Sequence, residues 1–366
     1  MLNLLFLLIL SLMIDILWGE VPAPIHPVVW MGKAIDHFSV RLTRWDSKIS
    51  GLVLTSITIS IFVIIFYFLL VLASFSHIVF IIVSALLLST IFAIKGLYRT
   101  ASEIQNELEG NVDKARELVS YLVSRDTETL SKNELASATV ESITENINDS
   151  VTAPIFYILL AGILVTFLYG VDVSQNFLLN SLNGLNLNGL NWFFEVTNPF
   201  TNSWYSFTLL ILPILIGVFY RVVNTLDAMV GYNNDKYKTI GYFPAKLDDI
   251  INFLPSRITG LMVIMAAAIG GLAWKNSWKI MKRDAKKTPS PNSGYPMAAA
   301  AGALNVQLEK PGIYVLGKSV DHLDSKNHLD NKMIGKAIFL TKITIALFLL
   351  LCFTIYLIFY LTITII

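Results

Sequence analysis

The 366-residue sequence predicts an all-α, polytopic integral membrane protein with about six spanning helices, one re-entrant or interfacial segment and several cytoplasmic helical segments. Three observations predict it. Hydrophobic residues make up 55% of the chain and charged residues only 14%, against roughly 25% charge in an average soluble domain. Apolar runs near the ~20 residues needed to cross a bilayer recur along the whole length. Lys and Arg are confined almost entirely to four segments, as the positive-inside rule requires. The net charge of +1 offers no field to attract nucleic acid, and one cysteine, Cys352, excludes an internal disulfide or a Cys-rich metal site.

The six runs are 2–17, 52–73, 77–95, 151–170, 207–223 and 338–361. The first carries no cation ahead of its apolar core and no small-residue cleavage site after it, so it is expected to remain as a helix. Segments 18–51, 96–150, 221–257 and 275–337 hold the cations and are assigned to the cytoplasm; the 36-residue link 171–206 has none and faces outward. The run 258–274 is short and broken by Gly260, Gly270 and Gly271. If it crossed, the eleven cations of 275–337 would lie outside, so a buried re-entrant or interfacial segment is expected, unless Ala298–Leu304 dips back into the bilayer. The chain is expected to form a single polytopic domain over 1–366.

Between the spans, 96–150 predicts a helical hairpin from the spacing of Ala115, Leu118, Val119, Leu122 and Val123. The stretch 275–287, following Trp274, predicts an amphipathic helix on anionic lipid, with a phosphate-binding role for some lysines as the alternative. Residues 176–191 are expected to be an outer loop. Prolines 22, 24 and 27 predict a stiff extended segment able to reach over a site.

Four polar clusters stand at the span ends, where ionisable groups are costly. In 141–157, Glu141 and Glu145 lie at i, i+4, with Asn146, Asn148 and Asp149 following. Oxygen ligands at that spacing suit Mg²⁺ held with a substrate phosphate, unless basic residues elsewhere or water balance them. In 221–237, Asn224 and Asp227 share a face, with helix-end hydrogen bonding to Arg221 as the alternative to a site, Gly231 ends the helix, and Asn233, Asn234, Asp235 and Lys236 form a turn. In 245–260, Asp248, Asp249 and Asn252 lie between Lys246 and Arg257, where a local ion-pair network competes with a site. In 283–308, Ser290, Asn292 and Gly294 form a tight turn before an Ala-rich helix, a geometry suited to an anion or to an ordinary surface turn. Asp15, Glu20 and His26 sit near the first span; His26 is either structural or an acid–base group. No Walker loop, GxSxG or HExxH pattern occurs.

Taken in order, D-x-x-x-G-E-x(5)-H-P-V at 15–28, VESITENINDSVTAP at 140–154, NTLDAMVGYNNDKY…AKLDDIINFLPSRIT at 224–259 and SPNSGYPMAAAAGAL…Y-x-x-G at 290–317 resemble the CobD/CbiB family, membrane-bound adenosylcobinamide-phosphate synthases of cobalamin biosynthesis. Three positions depart from the pattern of many relatives, where Gly, His and Glu stand in place of Ser150, Thr288 and Met297. The resemblance implies ATP-dependent amide ligation of adenosylcobyric acid with (R)-1-aminopropan-2-ol O-phosphate, with ATP and Mg²⁺ required. Glu141, Glu145, Asp149 and Asp227 are then the expected catalytic groups, and Glu141, Glu145, Asp149, Asp248 and Asp249 the expected Mg²⁺ ligands. His26, Asn146, Asn224, Lys236, Lys246, Arg257, Ser290, Asn292 and Gly294 are the expected substrate contacts. Implied partners are the corrinoid and amino-alcohol phosphate, the lipid bilayer and later enzymes of the pathway; implied localisation is the cell membrane with the active face cytoplasmic. An intramembrane Mg²⁺-dependent prenyltransferase and a transporter are the competing classes. The first lacks its paired D-x-x-x-D signature here, and the second lacks a repeat between halves.

Overall fold

Apolar periodicity, helix caps and proline positions build this chain into packed helices, which a computed structural model describes for residues 2–45, 47–123, 125–181, 202–232, 234–317 and 331–365. Among these, α1 (Leu2–Leu17), α2 (Pro27–Leu42), α3 (Lys48–Ala73), α4 (His77–Ser89), α5 (Ile94–Glu107) and α6 (Val112–Ser120) form the first half. Next come α7 (Lys132–Ile147), a π-helical turn (Asn148–Thr152), α8 (Ala153–Ser181) and α9 (Asn202–Val230). The chain then forms α10 (Tyr242–Ile251), α11 (Phe253–Ile269), α12 (Trp274–Asp284), α13 (Gly294–Leu304), a hairpin of β1 (Leu308–Lys310) and β2 (Tyr314–Leu316), and α14 (Asn331–Ile365).

Local chemistry explains the boundaries. Ser131 accepts from the Glu134 N–H while Glu134 accepts from the Ser131 N–H, a capping box that starts α7. In α3, Gly51, Leu54, Thr55, Thr58, Phe62, Phe66 and Leu70 recur every three or four residues as the buried stripe. Gly231 ends α9: a Cβ there would lie 2.6 Å from the Asp227 carbonyl oxygen and collide with its Oδ1. His26 caps α2, its Nδ1 accepting from the Val28 N–H at 3.2 Å.

Five described helical stretches are long and apolar enough to span: 48–73, 77–107, 132–168, 209–230 and 331–362. At 16 residues α1 is shorter, about 24 Å at 1.5 Å per residue. α10 and α11 bend by 50° at Asn252. The cause is Pro255, which has no N–H to offer the Ile251 carbonyl four residues earlier. The Tyr157 hydroxyl takes that carbonyl instead, at 2.6 Å.

The depth of α11 is set by its neighbours. Long helix α14 packs along both α7 and α8, and a Cβ on Gly162 would stand 2.8 Å from the Tyr356 hydroxyl. Near its start α11 bonds to Thr152 through Thr259, at 2.6 Å. At its end, Gly270 lies against Phe339 and Ile343, which a Cβ would approach to 3.1 and 3.4 Å. At 1.5 Å per residue, those contacts sit about 15 Å and about 20–25 Å from the Gly162–Tyr356 level, on the same side. Between Thr259 and Gly270, eleven residues or about 16 Å of helix, α11 therefore changes depth against its neighbours by only about 5–10 Å. The segment 258–274, expected to be re-entrant or interfacial, falls in α11, whose bounds lie five residues earlier and which forms a bent pair with α10.

Several expectations change. The fourth span is the apolar part of a longer helix, which begins at Lys132, runs continuously through the π turn and continues to Ser181. The part of the expected loop 176–191 beyond Ser181 lies outside the described residues, as does Asn233. Ala298–Leu304 does not restore a crossing, since α13 has only 11 residues, buried against α12 and α11. Helix α12 is not simply laid on lipid: Ser277, Ile280, Met281 and Asp284 are buried against α13, with Ser277 Oγ donating to the Ala299 carbonyl at 2.7 Å, while Trp274 and Trp278 remain exposed. The proline segment is a 3-10 turn, Ala23–Ile25, leading into α2, not an extended strap. The expected hairpin in 96–150 is α5 with α6, packed on α7.

Candidate active site

The second and third sequence clusters meet the first at the π turn. A π turn adds one residue to the helical ring and rotates the helix beyond it, and such bulges gather at functional sites. Here it turns Asn148 inward. Its Nδ2 donates to Asp149 Oδ1 at 2.8 Å and to Asn252 Oδ1 at 2.9 Å, and its Oδ1 accepts from the Thr259 hydroxyl at 3.1 Å. Asn252 in turn accepts from the Tyr220 hydroxyl at 2.9 Å and donates to Asp248 Oδ2 at 3.0 Å. α9 brings Arg221 and Asn224 alongside: Arg221 donates to Asn224 Oδ1 at 3.3 Å, and Asn224 lies near the Asp149 carboxylate.

Carboxylates collect around this network. Asp149, Asp227 and Asp248 are electrostatic neighbours, and Glu145 lies in range of Asp149, Asp227, Glu141 and Lys310. Asp248 Oδ1 is buried with no hydrogen-bond partner. Among the described residues Glu145 and Asp227 make no side-chain hydrogen bond. From the N-terminal segment, Glu20 and His26 both come within electrostatic range of Arg221. Burial holds the His26 imidazole below its ordinary range; Glu20 opposes that and Arg221 adds to it.

A second group adjoins through α10. Asn292 donates to the Asp249 carbonyl at 2.8 Å and accepts from Arg257 at 3.2 Å. The Arg257 guanidinium lies over the Phe253 and Tyr295 rings, 3.5 and 4.3 Å from their centroids. The Ser290 hydroxyl lies near the Asp249 carboxylate, and Lys246 pairs with Asp249 at 3.5 Å. Gly294 is demanded by close approach, since a Cβ there would collide with the Ala285 carbonyl oxygen.

Three expected residues stand apart. Lys236 is exposed, its ammonium 4.6 Å from the Tyr237 ring centroid. Asn146 turns along its own helix, donating to the Ser142 carbonyl at 2.9 Å. Glu141 is fully engaged: Oε1 accepts from Arg125 at 3.3 Å and Ser137 at 2.9 Å, and Oε2 from Arg125 at 3.4 Å and Tyr314 at 2.8 Å. The neutralising cation left open in the sequence is Arg125, and Glu141 is an anchor for the β-hairpin.

The donor set also tests a metal. Among the described residues no three Asp, Glu, His or Cys side chains converge closely enough to hold an ion by themselves. An all-protein cage drawn from Glu141, Glu145, Asp149, Asp248 and Asp249 therefore does not fit. Mg²⁺ shared with substrate phosphates needs only one or two carboxylates, and the partnerless Asp248 Oδ1 fits that role. Sequence reasoning treated Arg221, Asn148 and Asn252 as accompaniments and missed Tyr220, Thr259, Arg125 and Lys310; Tyr220-Arg221 at a span's end was the one available signal.

Comparison with known proteins agrees with this arrangement of motifs. The family model described as CobD/Cbib protein matches residues 8–171 and 203–341. The chain is 40% identical over 344 residues to a probable cobalamin biosynthesis protein CobD of Methanothermobacter thermautotrophicus, covering 93% of this chain and 94% of that one. It is 35% identical to the cobalamin biosynthesis protein CobD of Dehalococcoides mccartyi, covering 87% and 88%, and 33% identical to a probable CobD of Pyrococcus furiosus, covering 93% and 97%. No solved structure matches. With every one of the four sequence motifs inside the matched residues, the chain belongs to the CobD/CbiB family.

Proposed function

We propose that the protein acts in cobalamin biosynthesis as an ATP-dependent amide ligase. It joins a propionate carboxylate of adenosylcobyric acid to the amine of (R)-1-aminopropan-2-ol O-phosphate, giving adenosylcobinamide phosphate. Family membership supports the pathway. The observation that carries the chemistry is one buried network, Asn148–Asn252–Asp248, that sets a partnerless carboxylate oxygen in range of Asp149 and Asp227, with Arg221 near Asp149. A carboxylate does not acylate an amine at neutral pH; it must first be activated, most simply by phosphoryl transfer from ATP.

The residues divide that work. Asp149, held by Asn148 with Asn224 nearby, serves as an acceptor toward the reacting groups. Glu145 and Asp227, uncommitted to the protein, are placed to take the proton that the incoming ammonium must lose before it can attack. Asp248, with Asp149, would hold Mg²⁺ through the phosphates; when bound, the ion offsets negative charge on the transferring phosphoryl group. Arg257, Ser290 and the start of α13 offer donors to a second phosphate. The cation-bearing face carrying this site is taken as cytoplasmic, in the cell membrane.

The test is turnover in nanodiscs. Adenosylcobyric acid, the amino-alcohol phosphate and MgATP should yield the phosphorylated amide by mass spectrometry, and Glu145→Gln should slow it at least 100-fold. A protein that binds the corrinoid yet forms no amide under any nucleotide contradicts the reading.

A further inference from the structure

Arg221 is a cation of the site with no ion-pair partner among the described residues. It lies at the inner end of α9, yet no carboxylate oxygen comes within ion-pair distance of it among the described residues. Its one hydrogen bond among them is the 3.3 Å contact to Asn224 Oδ1, and its Nε is buried without a partner. A guanidinium has five N–H donors, and a buried charge left this bare is costly unless something else answers it. Of the other cations, Arg125 is paired with Glu141 and Lys246 with Asp249, Lys310 lies in range of Glu145, and Arg257, held by Asn292 and two aromatic rings, belongs to the second group around Ser290. The surroundings hold Arg221 in place. Asn224 fixes one nitrogen, and Tyr220, Asp149, Glu20 and His26 lie around it at longer electrostatic range.

We propose that Arg221 is a phosphate receptor of the site, taking a phosphate oxygen pair through its guanidinium, as planar forks do. This rests on the ligase reading above and adds a residue to it. The carboxylates nearby do not argue against an anion, because a phosphate carrying its divalent cation presents both charges. The cation meets Asp248 and Asp149, and the oxygens meet Arg221. The phosphate has two possible sources, the nucleotide and the amino-alcohol phosphate.

Two measurements test it. In turnover assays on the full-length protein in nanodiscs, Arg221→Gln should raise KM for one of the two phosphate-bearing substrates at least tenfold while leaving the other and the corrinoid within twofold. Which KM moves names the source. Arg221→Lys, a point charge without the fork, should fall between wild type and Arg221→Gln. Equal KM values in all three proteins, or a loss of active fraction with unchanged KM, would overturn the assignment. The second measurement needs no turnover: thermal unfolding with sodium pyrophosphate and Mg²⁺ against sodium chloride at matched ionic strength. Pyrophosphate should raise the wild-type midpoint and leave Arg221→Gln unmoved. Equal shifts in both proteins, or none in either, would overturn the receptor. A wild type shifted by pyrophosphate but inactive toward the corrinoid would instead contradict the ligase reading and leave the receptor standing.

Discussion

Asn148 and Asn252, 104 residues apart in sequence, share a hydrogen bond of 2.9 Å. It joins two irregularities, the π turn between α7 and α8 and the break between α10 and α11, each of which leaves backbone irregular where a straight helix would have none. Each asparagine uses its amide as both donor and acceptor, and the Thr259 and Tyr220 hydroxyls complete the pair. A network satisfied this fully is rigid, and removing one member leaves several buried groups without partners.

Asn252→Ala should therefore cost about 2–4 kcal/mol and abolish amide formation, because Asp248 loses the donor that orients it. Asn252→Asp should be no better, since a carboxylate cannot donate to Asp248. Thermal unfolding in detergent checks the first; a variant as stable as wild type would show that the two breaks are held by other contacts.

Tyr157→Phe should leave the Ile251 carbonyl, orphaned by Pro255, without its 2.6 Å donor and destabilise by about 1–2 kcal/mol. Pro255→Ala in the same background should recover part of that loss by restoring an N–H at the break. Additive effects in a double-mutant cycle would refute the link.

How far the sequence foretold this site varies by residue. Asp149, Asn224, Asp227 and Asp248 were legible because charged and amide groups at a span's end have few other reasons to be there, and the structure brings them together. Glu141 was not, because its partners Arg125 and Tyr314 lie 16 and 173 residues away, and no local spacing encodes a contact made through a β-hairpin. The same holds for Arg221: its sequence neighbours suggested a helix-end bond, and only the folded chain shows how little of its charge that bond uses. The spans were readable from composition, but the depth of α11 required Thr259 and Gly270 to be placed against two other helices.

Glu141→Gln should behave as an anchor loss. Gln keeps an acceptor for Tyr314 but cannot balance Arg125, half of a pair only 13% and 6% exposed; stability should fall by about 3 kcal/mol. The dependence of turnover on Mg²⁺ concentration should stay unchanged. For Asp248→Asn the pattern should reverse, with the Mg²⁺ requirement raised at least tenfold. A Mg²⁺ dependence that shifts with Glu141 and not with Asp248 would exchange the two roles.

The burial that lowers His26 gives a pH signature. The folded state holds the imidazole neutral, so the unfolded chain binds the proton more readily. Stability from this residue is complete above its ordinary range near 6.5 and falls as pH drops toward the lowered folded value. His26→Asn keeps a capping acceptor for the Val28 N–H and should flatten the stability profile between about pH 5 and pH 7. An unchanged slope would mean that other groups set it.

Asp284 predicts the opposite limb. Its burial is outweighed by Arg283 at 2.7 Å, Lys287 at 2.6 Å and the Gly317 N–H at 2.9 Å, which hold the carboxyl below its ordinary range. That stability is present at neutral pH and is lost as pH falls through the lowered value. Asp284→Asn should cost about 2 kcal/mol at pH 7 and lose most of that difference in acid; an equal cost at about pH 3 would mean that charge is not the cause.

In the proposed reaction a carboxylate is activated by phosphoryl transfer before the amine arrives, and one labelling experiment reads that step. Adenosylcobyric acid carrying ¹⁸O in the reacting carboxylate is turned over with MgATP and amino-alcohol phosphate. One ¹⁸O should appear in the inorganic phosphate released for each amide formed. Label recovered in AMP, or amide formed with no label passing to any nucleotide product or phosphate, would contradict it.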